Sequence, residues 1–319
     1  MQAEKRENAV KWIKKGLVYC PSGRFGFDVT HCHKPTPLIV DENTLRVYFG
    51  ARNEHNKTRT TYVDLNSHNL NEVLYVHDRP VLDLGAIGAF DDSGVNVSSI
   101  VRVGSLVYMY YIGINTSTTV HMQNAIGLAV SRDNGRTFTR LFEGAVIDRS
   151  KDEPYYIGAA EVIRVDEYWR AYYTCGSEWK IIGDRPEIFY HIKYGESRDG
   201  INWERAGHFC IPPQHEYEVT ARPCVVKADG TYRMWYSRWS LDGFRTDSAK
   251  SYRIGYAEST DGKTWVRLDE KAGLDVSSEG WDSEMIAYPY VLKLNGRWIM
   301  LYNGNQFGKT GFGYAELQA

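Results

Sequence analysis

The stretch IGYAESTDGKTW, residues 254–265, contains the pattern from which the fold follows: a strand-like run, an Asp-Gly turn and the start of another run. The same unit recurs as IKYGESRDGINW (192–203) and IGLAVSRDNGRTF (126–138), with weaker copies at TTYVDLNSHNL (60–70) and GFGYAEL (311–317). The central aspartates Asp64, Asp133, Asp199 and Asp261 are 69, 66 and 62 residues apart. Five units of about 64 residues account for the 319-residue chain, and such a period is typical of a repeat architecture.

Two further predicted strands precede each unit. The first is apolar and the second is aromatic-rich, as in PCVVKA (223–228) followed by TYRMWYSRWS (231–240), with an Asp-Gly turn between them. With a fourth strand after each Asp-Gly unit, the pattern predicts an all-β fold: a five-bladed β-propeller with four antiparallel strands per blade. The fifth repeat ends after its third strand, so we expect the N-terminal segment 11–19 to complete the last blade. This organisation predicts a single domain over residues 1–319; a pair of β-sandwiches is the rival interpretation.

Composition and charge exclude several classes of protein. Aromatic residues make up 13% of the chain, which argues against disorder. The 38 basic and 40 acidic residues argue against a nucleic-acid partner. The N-terminus lacks the apolar region of a signal peptide, and no apolar run is long enough to span a membrane. Five irregularly spaced cysteines favour reduced thiols over disulfides or zinc, so we expect a cytoplasmic protein with no membrane partner.

Loop lengths predict which face carries the functional site. The turns between the first and second strands, and between the third and fourth, are short throughout the chain. The connections between the second and third strands are long, at residues 115–124, 177–189 and 239–251, and so are the segments that lead into each first strand. Because binding residues concentrate on long loops over a rigid scaffold, we expect the site on the long-loop face.

An acidic residue recurs in the lead-in segments. It stands seven residues before the start of the first strand in four repeats (Asp91, Glu153, Glu216 and Asp282), and Asp28 stands eight residues before it in the first repeat. Two interpretations are open: a ring of carboxylates around a central funnel, or acids that hold the loops through hydrogen bonds. Residues that break the repeat are the stronger functional candidates, namely His31, His33, Lys34, Asp92, Asn96, Glu161, Glu218, Arg222, Glu284 and Tyr288.

The residue types in these segments suggest carbohydrate chemistry. Two carboxylates beside flat aromatic side chains are the groups that enzymes commonly use to cleave a glycosidic bond. His31 and His33, with Asp28 as a third ligand, are compatible with a metal site, but hydrogen bonding to a sugar or phosphate is the better interpretation. Together with Lys34 and Arg222, the two histidines could bind an anion. No nucleotide, serine-hydrolase or zinc-protease motif occurs, so neither a cofactor nor a metal is expected.

The phrases HKPTPLIV, RVYFGARN, FDDSGV and WDSEM, with the SRDGxxW turns, resemble the five-bladed propeller glycosidase superfamily. That superfamily includes the arabinanase/xylosidase-like and invertase-like clans and the mannoside phosphorylases. The resemblance is closest to glycosidase-like proteins associated with bacterial surface-polysaccharide synthesis. It implies a base in blade one, an orienting aspartate in blade two and an acid in blade three. By position these catalytic residues are Asp28, Asp91 or Asp92, and Glu153 or Glu161.

The predicted function is therefore that of a carbohydrate-active enzyme, a glycoside hydrolase that uses carboxylates in the central funnel. Substrate binding is assigned to His31, His33, Lys34, Asn96, Glu218, Arg222, Asp282, Glu284 and Tyr288. The segment DVTHCHKPTP replaces the invertase-like NDPNG signature, and two alternatives stay open. One is a phosphate- or nucleotide-sugar-dependent transferase or phosphorylase; the other is a non-catalytic sugar-binding module of polysaccharide synthesis. The expected partner is a carbohydrate or a sugar phosphate.

Overall fold

The computed structural model of the chain describes residues 10–318. The charged segment 1–9, which contributes to the prediction that there is no signal peptide, lies outside the described residues. Within the described part the chain is nearly all β, with helical structure confined to two short 3-10 turns, Ser248–Lys250 and Asp269–Lys271, and one turn of helix α1, Asn305–Gly308. The strands are β1 Trp12–Tyr19, β2 Thr30–Ile39, β3 Thr44–Arg52, β4 Thr58–Asn66, β5 Asn69–Val76, β6 Gly94–Val103, β7 Leu106–Asn115, β8 Gln123–Ser131, β9 Thr139–Arg140, β10 Ile157–Val165, β11 Tyr168–Ile182, β12 Arg185–Ser197, β13 Glu204–Phe209, β14 Glu218–Ala228, β15 Thr231–Ser240, β16 Arg253–Ser259, β17 Val266–Arg267, β18 Ala287–Leu294, β19 Arg297–Asn303 and β20 Phe312–Leu317.

The strands pair as antiparallel meanders. Two sheets follow the chain in the orders β10-β11-β12-β13 and β14-β15-β16-β17. The strands β2 to β5 and β6 to β9 form two further meanders, which a single parallel pair, Thr58 with Gly94, joins into one sheet. In the remaining sheet β1 pairs with β20 beside β19 and β18, so the predicted N-terminal strand does lie against the last strand of the chain. The number of blades stays a prediction.

The hydrophobic core lies between neighbouring meanders. Each of the strands β2, β6, β10, β14 and β18 packs against the next, and β18 also packs against β2. Leu45 from the start of the chain shares a cluster with Leu301 and Phe312 from its end. Burial of these large apolar side chains, at about 25 cal/mol per Å², is the main force that holds the meanders together.

The recurring Asp-Gly turns also connect neighbouring meanders. The hydroxyl of Tyr110 donates to the carbonyl of Gly200 over 2.8 Å, and Tyr172 makes the same bond to Gly262. Within the turn, Asp199 accepts hydrogen bonds from the backbone N–H groups of Ile201 and Asn202. The repeated unit seen in the sequence therefore docks one meander onto the tyrosine of the preceding one.

The first strand of four meanders contains a bulge with left-handed backbone. The register shifts near this point in β2, β10, β14 and β18. The residues with positive φ are Lys34 (58°), Ala159 (40°), Arg222 (52°) and Tyr288 (55°). A side-chain-bearing residue in this conformation costs on the order of 1–3 kcal/mol, and such strain concentrates at functional sites. All four of these residues line the same cavity.

One predicted loop forms regular structure instead. Residues 177–189 extend β11 and β12 into a long hairpin, in which Trp179 pairs with Ile188 and Lys180 with Glu187. Gly183, at φ 65°, supplies the left-handed turn at the tip. The segment forms strands because apolar and polar residues alternate on both sides of that glycine.

Candidate functional site

A cavity of about 290 Å³ opens on the face that carries the long connections. It is lined by lead-in segments and by the three long connections predicted to surround the site. The basic and histidine side chains of the lining are His33, Lys34, Arg52, His121, Arg222 and Arg245. The aromatic side chains are Tyr156, Tyr190, Trp239, Phe244, Tyr252, Tyr288 and Phe307.

The aromatic side chains support one another in pairs. Trp239 stacks on Tyr252 with ring centroids 3.8 Å apart, and Tyr156 stacks on Tyr190 at 5.5 Å. The Asn124 amide donates to the Tyr156 hydroxyl over 2.8 Å. Rigid aromatic faces of this kind suit the C–H surfaces of a sugar ring, and they lower the dielectric constant around any charge in the cavity.

Two cations in the cavity have no acidic partner. Within residues 10–318, no carboxylate forms an ion pair with Lys34 or Arg52. The Lys34 ammonium lies 4.8 Å from the centre of the Tyr288 ring. Burial, aided by the positive charges of Arg222 and Arg52, lowers the pKa of Lys34 to about 7. The one acid in the lining, Glu187, is already paired with Arg245.

Arg222 forms part of the cavity lining and has no solvent exposure. One guanidinium nitrogen, Nη2, donates to the Thr36 hydroxyl over 2.9 Å. A second, Nη1, lies 3.5 Å from Glu161 Oε2, and neither of these two atoms forms a hydrogen bond within the described residues. Burial raises the pKa of Glu161 to about 7, although Arg222 opposes this shift. The cavity thus has a strained, incompletely hydrogen-bonded arginine backed by one buried acid.

Further buried polar atoms of the lining lack a hydrogen-bond partner within residues 10–318. They are His33 Nε2, Asn96 Oδ1, Asn124 Oδ1, Thr174 Oγ1 and Trp239 Nε1. Burial, with the neighbouring cations Arg52 and Lys34, holds the pKa of His33 well below its usual value, so its imidazole is neutral. Buried polar groups normally have hydrogen-bond partners, so these atoms are available to bound water or to a polar ligand.

The repeated lead-in acids lie outside this cavity. Asp91 accepts a hydrogen bond from the Tyr111 hydroxyl at 3.0 Å and pairs with Arg140 at 2.7 Å. Glu153 binds Tyr173 at 3.0 Å, Arg205 at 2.6 Å and Lys193 at 3.1 Å. In both meanders, therefore, a tyrosine of the second strand and a base of the fourth strand hold the acid.

Asp282 and Glu218 have related partners. Asp282 pairs with Lys14 at 2.7 Å and accepts from the Tyr302 hydroxyl at 3.0 Å, and Glu218 pairs with Arg267 at 2.6 Å. The acid that occupies this place in the fourth repeat is Glu218, and the Glu216 predicted from the spacing is exposed. A turn in which the Glu218 N–H donates to the His215 carbonyl places Glu218 at the start of β14.

The remaining predicted residues do not line this cavity either. Asp28 is buried and accepts from the Phe25 N–H at 2.9 Å, whereas Asp92 accepts from the Gly88 N–H at 3.0 Å. His31 and Glu284 line a neighbouring cavity. The His31 and His33 rings meet edge to face, with centroids 4.7 Å apart. Among residues 10–318, no group of three potential metal ligands is arranged to hold a metal ion.

The structure therefore gathers only part of the predicted set. His33, Lys34, Asn96, Arg222 and Tyr288 line the cavity, and Glu161 lies behind Arg222. The sequence analysis missed lining residues on the second and third strands and their connections, chiefly Arg52, His121, Asn124, Thr174, Tyr190 and Tyr252. Their shared signal is a position near the strand ends of the long-loop face.

Comparison with known proteins identifies relatives along almost the whole chain. The uncharacterized protein Rv1502 of Mycobacterium tuberculosis (strain ATCC 25618 / H37Rv) is 36% identical over 308 residues, which cover 96% of this chain and 99% of that protein. The 1,2-beta-oligomannan phosphorylase of Thermoanaerobacter sp. (strain X514) is 30% identical over 127 residues, 36% of this chain and 38% of that protein. No protein-family model matches the chain.

Solved structures with the same fold include glycoside hydrolases. A glycoside hydrolase superposes with a TM-score of 0.75 over 99% of this chain and 95% of its own, at 16% identity. The alpha-L-arabinofuranosidase PaAbf62A from Podospora anserina, solved with cellotriose, gives a TM-score of 0.68 over 98% of both chains, at 10% identity. No helix within residues 10–318 has the length and apolar character needed to cross a bilayer. The chain has the fold of propeller-type glycoside hydrolases and belongs to the same family as Rv1502 of M. tuberculosis.

Proposed function

We propose that this protein is a carbohydrate-active enzyme that transfers a glycosyl group between a sugar oxygen and phosphate. The observation that carries the proposal is the charge of the cavity. Lys34 and Arg52 lack an acidic partner among the described residues, and the acid of the lining, Glu187, is neutralised by Arg245. Two nitrogens of Arg222 form no hydrogen bond within these residues, and one of them lies 3.5 Å from the buried Glu161 carboxylate. A desolvated cluster of cations binds a phosphate group more readily than a neutral sugar.

In the proposed reaction a phosphate oxygen attacks the anomeric carbon, and the bond from that carbon to the glycosidic oxygen breaks. The leaving oxygen takes up one proton, so a single acid is sufficient. We assign this proton to Glu161, whose pKa of about 7 keeps part of its population protonated near neutral pH. Movement of Arg222 towards bound phosphate would open a path from the Glu161 carboxyl to the ligand.

Within the same proposal, the predicted site residues divide into two groups. His33, Lys34, Asn96, Arg222 and Tyr288 bind the ligand. The repeated acids Asp91, Glu153, Glu218 and Asp282, together with Asp28 and Asp92, hold the lead-in loops. The partial similarity to a phosphorylase supports the use of phosphate.

Glycoside hydrolysis is the second candidate, because the solved structures of this fold include glycoside hydrolases. Hydrolysis commonly uses two carboxylates on opposite sides of the scissile bond. Glu187 supplies the one carboxylate in the lining of this cavity, and it is already paired with Arg245. Phosphate transfer therefore fits the charges of the cavity better than hydrolysis does.

We also propose that the five meanders are the blades of a closed propeller. The packing of β18 against β2 and the pairing of β1 with β20 support this arrangement, because they join the two ends of the chain. A cytoplasmic location and a place in polysaccharide synthesis stay predictions from the sequence.

The test is to incubate the protein with a panel of oligosaccharides, with and without inorganic phosphate, and to measure sugar 1-phosphate and free sugar. We expect phosphate-dependent formation of sugar 1-phosphate and at least a tenfold loss in Arg52→Ala. The matched control is Arg79→Ala, whose exposed side chain pairs with Asp78 and does not line the cavity. Release of free sugar at the same rate without phosphate would establish hydrolysis instead, and no product from any sugar would favour a binding module.

A further inference from the structure

A second cavity, of about 710 Å³, adjoins the one just described. Phe244, Arg245 and Phe307 line both cavities, so these side chains form the wall between them. The adjacent histidines also reach both spaces, since His33 lines the first cavity and His31 the second. The two cavities are therefore parts of one depression on the long-loop face.

Phe307 is held in this wall at a conformational cost. Gln306 and Phe307 both adopt left-handed backbone conformations, with φ of 54° and 60°. Such conformations persist only where the surrounding structure enforces them. The buried Asn305 does so, because its side-chain oxygen accepts from the N–H groups of Glu284 and Met285 at 2.8 and 3.2 Å.

The Phe307 ring lies among other aromatic rings and presents a surface to both cavities. Its centroid is 5.4 Å from that of Tyr252 and 6.3 Å from that of Phe244, edge to face in both cases. A half-buried aromatic ring between two polar spaces is a suitable platform for a sugar ring. A role for Phe307 in sugar binding would therefore account for its strained backbone, which packing alone does not require.

The second cavity differs from the first in its polar groups. Its lining combines acids, bases and uncharged groups, with Glu284, Asp247, Lys309, His31, Ser248 and Gln306 among them. The side chains of Glu284 and Gln306 are exposed and form no hydrogen bonds within residues 10–318. Such a mixture of donors and acceptors fits sugar hydroxyl groups better than it fits a phosphate.

We propose that the second cavity binds a further, uncharged sugar unit of the same ligand and that Phe307 separates the two units. The ligand then contains at least two sugar units, with its anionic end or the attacking phosphate at Lys34 and Arg52. This inference rests on the proposed carbohydrate function, and it makes Phe307 and Glu284 residues that determine ligand length.

The test compares ligands of different length by calorimetry. The probes are inorganic phosphate and a panel of gluco- and manno-configured mono-, di- and trisaccharides with and without a terminal phosphate. The wild-type protein should bind at least one disaccharide ten or more times as tightly as the corresponding monosaccharide. Phe307→Ala and Glu284→Gln should each remove most of that gain. Glu284→Gln, which does not line the first cavity, should change the affinity for inorganic phosphate less than twofold. The control Glu279→Gln alters an exposed acid outside both linings and should leave every affinity unchanged.

Three results would overturn the inference: equal affinity for monosaccharides and disaccharides, binding of no disaccharide, or unchanged disaccharide affinity in Glu284→Gln. The last variant guards against misfolding of Phe307→Ala, because Glu284 is exposed. If the wild-type protein bound no inorganic phosphate, that result would contradict the proposed phosphate chemistry but not the second sugar site. The two proposals can therefore fail separately.

Discussion

The repeated acids of the lead-in segments and the cations of the cavity have opposite surroundings. Glu153 is buried with a tyrosine and two bases around its carboxylate, and Asp91 and Asp282 each have a tyrosine and one base. Lys34 and Arg52 share a cavity in which the lining acid, Glu187, is occupied by Arg245. A charged group that already has its ion-pair and hydrogen-bond partners has little capacity to bind a ligand. A charged group without a counter-ion keeps that capacity.

This difference between paired acids and unpaired cations shows how the repeated positions of the sequence are to be interpreted. The recurring acids Asp91, Glu153 and Asp282 have partners that recur as well, a tyrosine on the second strand and a base on the fourth strand of the same sheet. The cavity residues vary from one meander to the next: the bulge position that Lys34 and Arg222 occupy is Ala159 in β10 and Tyr288 in β18. The recurring acids therefore hold the loops, and the positions whose residue type changes between meanders mark the candidate site.

The largest expected effect comes from removing a repeated acid. Glu153→Gln leaves the positive charges of Lys193 and Arg205 without their counter-ion, and both side chains are largely buried. Breaking a buried ion pair from one side costs about 3–5 kcal/mol. We expect that loss in the free energy of unfolding, measured by urea denaturation.

The control for this change is Asp152→Asn, which alters an exposed neighbouring acid and should shift stability by less than about 0.5 kcal/mol. If Glu153→Gln kept its stability and lost turnover, Glu153 would belong to the catalytic group that the sequence analysis predicts.

An effect of up to comparable size is expected from pH, with opposite signs on the two sides of neutrality. Folded Glu161 keeps its proton up to about pH 7, against a usual value of 4.5, so the free energy of unfolding should fall as pH rises through this window. Folded Lys34 loses its proton near pH 7, against a usual value of 10.5, so stability should rise again above neutrality. These pKa differences set upper limits of about 3 kcal/mol for the Glu161 limb and about 5 kcal/mol for the Lys34 limb.

Denaturation at a series of pH values checks this profile. Glu161→Gln should remove the falling limb and Lys34→Met the rising one, since each variant lacks the titrating group. A wild-type profile in either variant would show that the slope comes from other residues. Affinity for inorganic phosphate should also fall above pH 7, as Lys34 loses its charge.

The smallest effect concerns the contact between meanders. Tyr110→Phe removes the hydrogen bond to the Gly200 carbonyl and should lower the free energy of unfolding by about 1 kcal/mol, because the buried carbonyl loses its partner. Ligand affinity should not change, since Tyr110 does not line either cavity. Differential scanning calorimetry and calorimetric binding measurements separate the two quantities, and a loss of affinity would show that the scaffold and the cavity are coupled.

Strands and turns were the most predictable features of the molecule. The alternation of apolar residues and the Asp-Gly turns act over a few residues, so they can be recognised without a structure, and the pairing of β1 with β20 followed from a missing fourth strand. The prediction failed where local spacing was ambiguous, as for Glu216 and Glu218. It also failed at residues 177–189, which were predicted as a loop and form a hairpin.

The candidate site was predictable in its face and in five of its lining residues, because long connections and residues out of step with the repeat are visible in the sequence. Which side chains meet was not predictable. Arg222 contacts Thr36, 186 positions away along the chain, and that approach depends on how the meanders pack against one another. Local periodicity therefore determined the strands and the elaborated face, whereas long-range packing alone decided which acids would be neutralised and which cavity cations would lack an acidic partner.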